Sequence, residues 1–228
     1  MILEAVRLAL TAIIRNKLRS FLTVLGVVIG VAAVIAMVTV GQGSSEQVRA
    51  SVASLGTNVL VARPGRPPRM GPPTGEPPPR FSVKDADAIA ELPVAAHVAP
   101  MANTSQTVVA GNANAATQIY GTNADYLAVQ NWPLALGRNF SDAEVQAGSA
   151  VCVLGETVRA KLFGASDPVG QSLRVKSVSC DVIGVLAAKG AGSFGQDQDD
   201  VLLMPFKTVQ RRLKGNQDVD SIAVGLSQ

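Results

Sequence analysis

The feature that most restricts this chain is a run with no ionisable side chain, from Ser20 to Ser45. Within it FLTVLGVVIGVAAVIAMVTV, residues 21–40, is broken only by Thr23, Thr39 and the glycines at 26 and 30. A helix rises about 1.5 Å per residue, so roughly 20 apolar residues cross a hydrocarbon core about 30 Å thick. The core of an export signal is shorter, about 7–15 residues, and ends at a small-x-small site. Gly30-Val31-Ala32 imitates such a site, yet residues 33–40 continue apolar beyond it. A buried helix of a water-soluble domain would normally keep a polar face. The run therefore reads as a retained membrane span over residues 20–43.

Charge fixes an expected orientation. The formal net charge of +3 resides in residues 1–20, where Arg7, Arg15, Lys17 and Arg19 stand against Glu4; the remainder is balanced. The basic character is thus no property of a folded domain surface, which argues against nucleic acid as a partner. Short cytoplasmic flanks of spans are rich in Lys and Arg. Arg15, Lys17 and Arg19 are therefore a cytoplasmic anchor, and residues beyond about 45 face the periplasm or exterior. Ahead of the span, Leu3, Val6, Leu10, Ile13 and Ile14 share one helical stripe. Residues 1–19 fit a helix lying in the membrane interface as an elbow, or else a plain extension of the span. Gly26 and Gly30 lie four apart on one helix face, where missing side chains let a second helix approach. A lipid-facing helix with two incidental glycines is the plainer alternative.

Residues 44–228 form the exported part, expected as one core domain. SSEQVRASVASL, 44–55, has a capping Ser44, a stripe of Val48, Val52 and Leu55, and a stop at Gly56. It continues the span outward as a stalk unless Gly41 and Gly43 break the helix. Residues 57–63 read as a strand. The stretch 63–80 contains eight prolines and no apolar period, so it is an insertion that builds no core. Beyond it, Ser82 with Asp85 and Ser141 with Glu144 are capping-box signatures. Strands are expected at 94–99, 104–110, 115–120, 150–155 and 201–205, with a hairpin or two adjacent strands over 172–186 and a last strand at 220–227. Short helices are expected after Ser82, at 156–163 and from Pro205 to Leu213. Irregular alternation of strands and short helices predicts a mixed α/β or α+β domain.

Residues that carry chemistry are scarce. The lone His97 sits in VAAHVAP, a strand, and reads as a structural histidine; a nucleophilic site depends on such a base. No GxxxxGK[ST] loop occurs, so ATP is not hydrolysed here by the P-loop route, and no Cys/His cluster suggests a metal. GSFGQDQDD, 192–200, is the acidic cluster. It fails the EF-hand pattern, because Leu202 and Thr208 stand where Gly and Glu are needed. It reads as a solvated loop tip, or as a protein-contact loop using Phe194, Gln196, Asp197, Asp199 and Asp200. Cys152 and Cys180 fall on candidate strands, where an oxidising compartment permits a disulfide; two separately buried thiols are the alternative. Trp132 reads as a packing residue beside a turn.

Several stretches together resemble the permease subunits of MacB-type ABC transporters, within the FtsX-like permease superfamily. RNKLRSFLTVLGVVIG with SLGTNVLVARPG resembles that family's first span and its exit into a periplasmic core domain. GTNADYLAVQNWPLALGRNFSDAEV resembles its "G…GR.F…d" stretch. The most specific match is VCVLGETVRAKLFGASDPVGQSLRV followed by VIGVL, through Leu162, Phe163, Gly164, Asp167, Pro168, Val169 and Gly170.

The resemblance implies a four-span permease of which this chain holds the first span and most of the periplasmic domain. It implies a homodimer in the inner membrane, driven by an ATPase that holds the ATP and magnesium, with no cofactor in this chain. Because Met1 stands close to the elbow, the ATPase is expected as a separate subunit. The stalk would carry its movement outward, and an adaptor of the membrane-fusion type would receive exported drugs, peptides or other amphiphiles. Residues 194–200 are an expected adaptor contact that no family motif dictates. Lipoprotein release or control of cell-wall hydrolases is the alternative within the superfamily, and a single-span interaction module the alternative outside it.

Overall fold

The computed structural model describes residues 4, 6–8, 15–54, 58–65, 80–192 and 195–227. The expected elbow stripe falls outside these apart from Val6, as do the expected stop at Gly56, residues 66–79 of the Pro-rich insertion, and Phe194. The chain divides into two units, residues 1–50 and 51–228.

The first unit is dominated by α1, a single helix from Lys17 to Ser54 whose last four residues belong to the second unit. Gly41 and Gly43 do not interrupt it. Its segment Lys17–Glu46 is long and apolar enough to cross a membrane, and none of it is buried by the rest of the chain. Apolar side chains such as Phe21, Leu22, Val31 and Met37 are exposed around it, which water would penalise and lipid would not. The two threonines turn their hydroxyls back onto the helix: Thr23 donates to the Arg19 carbonyl at 2.8 Å and Thr39 to that of Ile35 at 2.9 Å. Hydroxyls satisfied in this way leave no polar group facing an apolar surrounding.

The second unit is a mixed α/β domain. Its strands are β1 (Val59–Ala62), β2 (Ala95–Ala110), β3 (Ala113–Thr122), β4 (Leu134–Gly137), β5 (Val151–Leu154), β6 (Ser172–Val175), β7 (Val178–Leu186), β8 (Val201–Pro205) and β9 (Ser221–Leu226). The helices are α2 (Val83–Ala90), α3 (Tyr126–Val129), α4 (Asp142–Ala147), α5 (Glu156–Phe163) and α6 (Phe206–Thr208). The last runs on as a π-helix, Val209–Lys214.

Pairing order across the sheet is β1-β9-β2-β3-β8-β5-β7-β4. The strand β6 closes part of it into a ring, because it pairs with β7 on one side and with β2 on the other, Val108 opposite Val175. The six strands β2, β3, β8, β5, β7 and β6 thus form a closed circuit. Alternate residues of all six share one core: Val108, Ile119, Met204, Leu154, Cys180 and Leu173 among them. Val158 and Leu162 of α5 and Val209 of the π-helix pack into the same cluster. The intervening residues, such as Val153, Val201, Leu203 and Leu186, join Tyr126, Trp132 and Phe140 in a second core on the other face. Both faces of the sheet are therefore covered, which explains the continuous apolar reading of VLLMP and VCVL.

Several sequence expectations need correction. The two strands expected at 94–99 and 104–110 are one strand of 16 residues. The residues between them, 100–103, continue the strand: Pro100 stands opposite Ile222 of β9, and the β2–β3 ladder begins at Ala102. The first half of β2 pairs with β9 and the second with β3 and β6, so it passes from one part of the sheet to another. The strand β4 and the helix α3 were not anticipated, being four residues each and too short for periodicity to register. The two capping boxes, the helix at 156–163 and the β6–β7 hairpin lie where the sequence places them.

Candidate functional site

Two loop corners carry the most distinctive sequence. In the GRNF corner, residues 137–140, Gly137 has φ +72, and a Cβ there would stand 2.2 Å from the Ile183 carbonyl oxygen. Only glycine fits both the conformation and the approach. The turn delivers Arg138 to Glu144: one guanidinium nitrogen donates to Oε2 at 2.8 Å, the other to Oε1 at 2.7 Å. Glu144 also accepts the Ser141 backbone N–H at 2.8 Å, closing the capping box of α4. The Arg138 fork, with help from Ser141, holds the Glu144 carboxyl down to about 2. Asn139 donates to the Ala124 carbonyl at 2.8 Å, and Phe140 enters the second core.

The second corner is LFGASDPVG. Leu162 packs into the ring and the chain turns at Gly164, whose carbonyl accepts from Arg159. Asp167 accepts the Val169 N–H at 2.9 Å, Gln171 donates its N–H to the Pro168 carbonyl at 3.0 Å, and Gly170 donates to the Val182 carbonyl at 2.8 Å. The corner thereby lays β6 antiparallel to β7 in the position that closes the ring.

The acidic cluster differs from a solvated loop tip. Asp199 is 4% exposed and accepts the backbone N–H groups of Lys189 and Gly190, each at 2.8 Å. Asp197 accepts from the Thr157 hydroxyl at 2.7 Å and from the Asp199 N–H at 2.9 Å. Asp200 accepts from Lys161 at 3.0 Å. These carboxylates tie the loop to α5 and to the end of β7, because donors of folded neighbours reach them before water does. Gln196 and Asp197 remain exposed at its turn. Beside it, Lys189 lies 4.6 Å from the Trp132 ring centroid and donates to the Gln130 carbonyl; Trp132 donates its indole N–H to the Ala187 carbonyl. Burial pushes the Lys189 ammonium pKa down.

A cleft of about 910 Å³ opens where α2, the start of β2 and the α6–π-helix segment converge. Sequence reasoning did not anticipate it, since its walls come from segments far apart in the chain. His97 and Asp125 face it, Nδ1 to Oδ1 3.1 Å, both half-exposed. His97 is therefore on a strand as expected but is not buried. Lys84 and Arg211 add two cations that meet no carboxylate among the described residues. The π-helix supplies Gln210 and Arg211 to one wall. The result is an amphipathic concavity.

The remaining site expectations fall elsewhere. Arg15, two residues ahead of α1, and Lys17 and Arg19 in its first turn are exposed, and the α1 positions 26 and 30 face open space, with nothing within 4 Å of an added Cβ. Cys152 and Cys180 come together inside the ring, with Sγ atoms 2.8 Å apart.

The second unit is thus a sheet partly closed into a ring with helices on both faces, and a long apolar helix precedes it in the chain. The chain belongs to the MacB-like periplasmic core domain family, whose model matches residues 20–228. In fold it is similar to the periplasmic region of MacB from Actinobacillus actinomycetemcomitans, with TM-score 0.64 and 24% identity over 78% of each chain. It is also similar to the extracellular domain of the noncanonic ABC-type transporter YknZ from Gram-positive bacteria, with TM-score 0.56 and 21% identity over 65% of this chain and 74% of that one.

Among curated relatives, the macrolide export ATP-binding/permease protein MacB of Rhodospirillum rubrum is 42% identical over 96% of this chain and 34% of its own length. That of Azoarcus sp. (strain BH72) is 39% identical over 99% and 34%. The pyoverdine export ATP-binding/permease protein PvdT of Pseudomonas entomophila is 38% identical over 97% and 33%. The chain spans about a third of the length of the curated relatives it matches.

Proposed function

We propose that this chain is the first membrane span and periplasmic core of a permease subunit in an ATP-driven exporter. The observation that carries the reading is the uninterrupted helix α1, Lys17–Ser54, which joins an uncharged span to residues of a MacB-like core domain. At about 1.5 Å per residue, its 38 residues extend about 57 Å, longer than a hydrocarbon core, so the surplus emerges as a stalk. The basic flank Arg15–Arg19 supports a cytoplasmic N-terminus.

In this reading ATP is bound and hydrolysed in a partner ATPase subunit, and two copies of the permease pair through the face bearing Gly26 and Gly30. Closure of the ATPases moves the stalks, and the periplasmic domains displace their cargo into an adaptor protein. The exposed turn Gly195–Asp197, held by buried Asp199, is the adaptor contact. The cargo is a drug, peptide or other amphiphile, a class supported by relatives named for macrolide and pyoverdine export.

The test is a flexible Gly-Ser insertion of six residues after Gly43 in the assembled transporter. Transport should fall severely while membrane insertion and ATP hydrolysis persist. Transport at the parental rate would remove the stalk from the mechanism.

A further inference from the structure

The two cysteines of the chain lie on neighbouring parallel strands. Val151 and Cys152 of β5 stand opposite Asp181 and Val182 of β7. Cys180 precedes Val182 by two, so it shares that residue's face, and both thiols point into the ring. Cys152 is 0% and Cys180 1% exposed, and both belong to the ring core. Their sulfurs are 2.8 Å apart, against about 2.05 Å in a disulfide bond. Burial pushes the Cys152 thiol well above its ordinary pKa, with the Cys180 thiol and the Asp181 carboxylate adding to the effect. Once the ring is closed, both sulfurs are shut away from any oxidant. If a bond forms, it forms before closure.

We propose that Cys152 and Cys180 are a structural disulfide site, oxidised during folding by a disulfide-bearing oxidant of the thiol–disulfide exchange class. The inference rests on the reading that this domain folds outside the cytoplasm. In the first step one cysteine, having lost its proton, attacks the oxidant's disulfide; a mixed disulfide forms and one thiolate leaves. The second cysteine then loses its proton and attacks the first cysteine's sulfur, expelling the other half of the oxidant. Two protons leave the cysteines and two electrons pass to the oxidant, whose disulfide becomes two thiols.

The bond has a defined structural task. The segment between the two cysteines contains α5, the LFGASDPVG corner and β6. These are the elements that fill and close the ring. A covalent link across the base of that segment limits how far it opens in the unfolded chain.

The full chain provides the test. Protein made in a cell that exports it is quenched in acid, denatured with N-ethylmaleimide and digested with trypsin. Cys152 falls in the fragment of residues 139–159 and Cys180 in that of 177–189, each with a single cysteine. The expected result is one joined pair, about 2 Da lighter than the two free thiol peptides and separated by reductant. Maleimide on both fragments overturns the proposal.

A second arm separates the causes of failure. Reduced, unfolded chain is refolded with oxidised and reduced glutathione, and its melting temperature is compared with that of the C152A/C180A variant. The same pair should form, raising the melting temperature by several degrees, a gain the variant lacks under any redox condition. Reduced cysteines from the cell together with ready bonding on refolding would sink the proposal through its location. Failure to bond on refolding would sink it through its geometry.

Discussion

Arg138 grips both carboxylate oxygens of Glu144, at 2.8 and 2.7 Å, while Glu144 caps the helix that Ser141 begins. One side chain thus fixes the angle between the GRNF turn and α4. Replacing Glu144 with Gln should cost about 1–2 kcal/mol through the weakened cap and the lost bidentate pair, measured by denaturant unfolding. The pH dependence follows from the lowered folded-state pKa. The stabilisation is present above about pH 4.5 and is lost as pH falls toward 2. Melting curves between pH 7 and 2.5 should show a shallower acid decline for E144Q than for the parent. Parallel declines would refute the assignment.

Gly121 and Val209 define the contact between β3 and the π-helix. A Cβ at Gly121 would lie 2.6 Å from the Val209 Cβ. Gly121→Ala should therefore destabilise the domain by about 1–3 kcal/mol through overpacking. Combined with V209A, the two losses should be less than additive, because the smaller partner admits the methyl. Strict additivity in a double-mutant cycle would mean the contact is not the cause.

Asp199 should matter more to the fold than its two acidic neighbours. Replacing it with Ala leaves the Lys189 and Gly190 N–H groups without their acceptor, at a cost of about 2–3 kcal/mol. The exposed Asp197 should cost less than half as much on replacement. Urea midpoints, with limited proteolysis across residues 187–200, would rank the two. An equal ranking would return Asp199 to the status of a loop carboxylate.

Substituting Leu for both Gly26 and Gly30 should leave the periplasmic domain folded and impair permease pairing. The face they share is open along α1, so nothing within the chain resists the larger side chains. Crosslinking between copies and the turnover of the assembled transporter report the effect, and unchanged values for both would reject a helix seam there.

Most of residues 64–79 should be dispensable. Their sequence carries eight prolines and no apolar period that a core would require. A short Gly-Ser linker in their place should leave the melting temperature within a few degrees of the parent, and a large fall would contradict this.

What was legible in the sequence was local. Ser82 with Asp85, Ser141 with Glu144, and Gly164 announced helix ends because caps and stops act over three or four residues. The long apolar helix was legible because its uncharged run is continuous over more than twenty residues. The ring was not. Its closure depends on β6 meeting both β2 and β7, and on β3 lying parallel to β8, pairings between residues as far apart as Gln118 and Val201. No periodicity encodes such partners. The cleft and the cysteine contact were hidden for the same reason, while Asp199 misled because its buried partners are backbone groups without a sequence signature.

The first and last of the described strands are hydrogen-bonded neighbours, Val59 opposite Gly225. The start of β1 and the end of β9 therefore lie side by side, about 5 Å apart. A tug on the thread entering β1 is felt at once by β9, across the rungs they share.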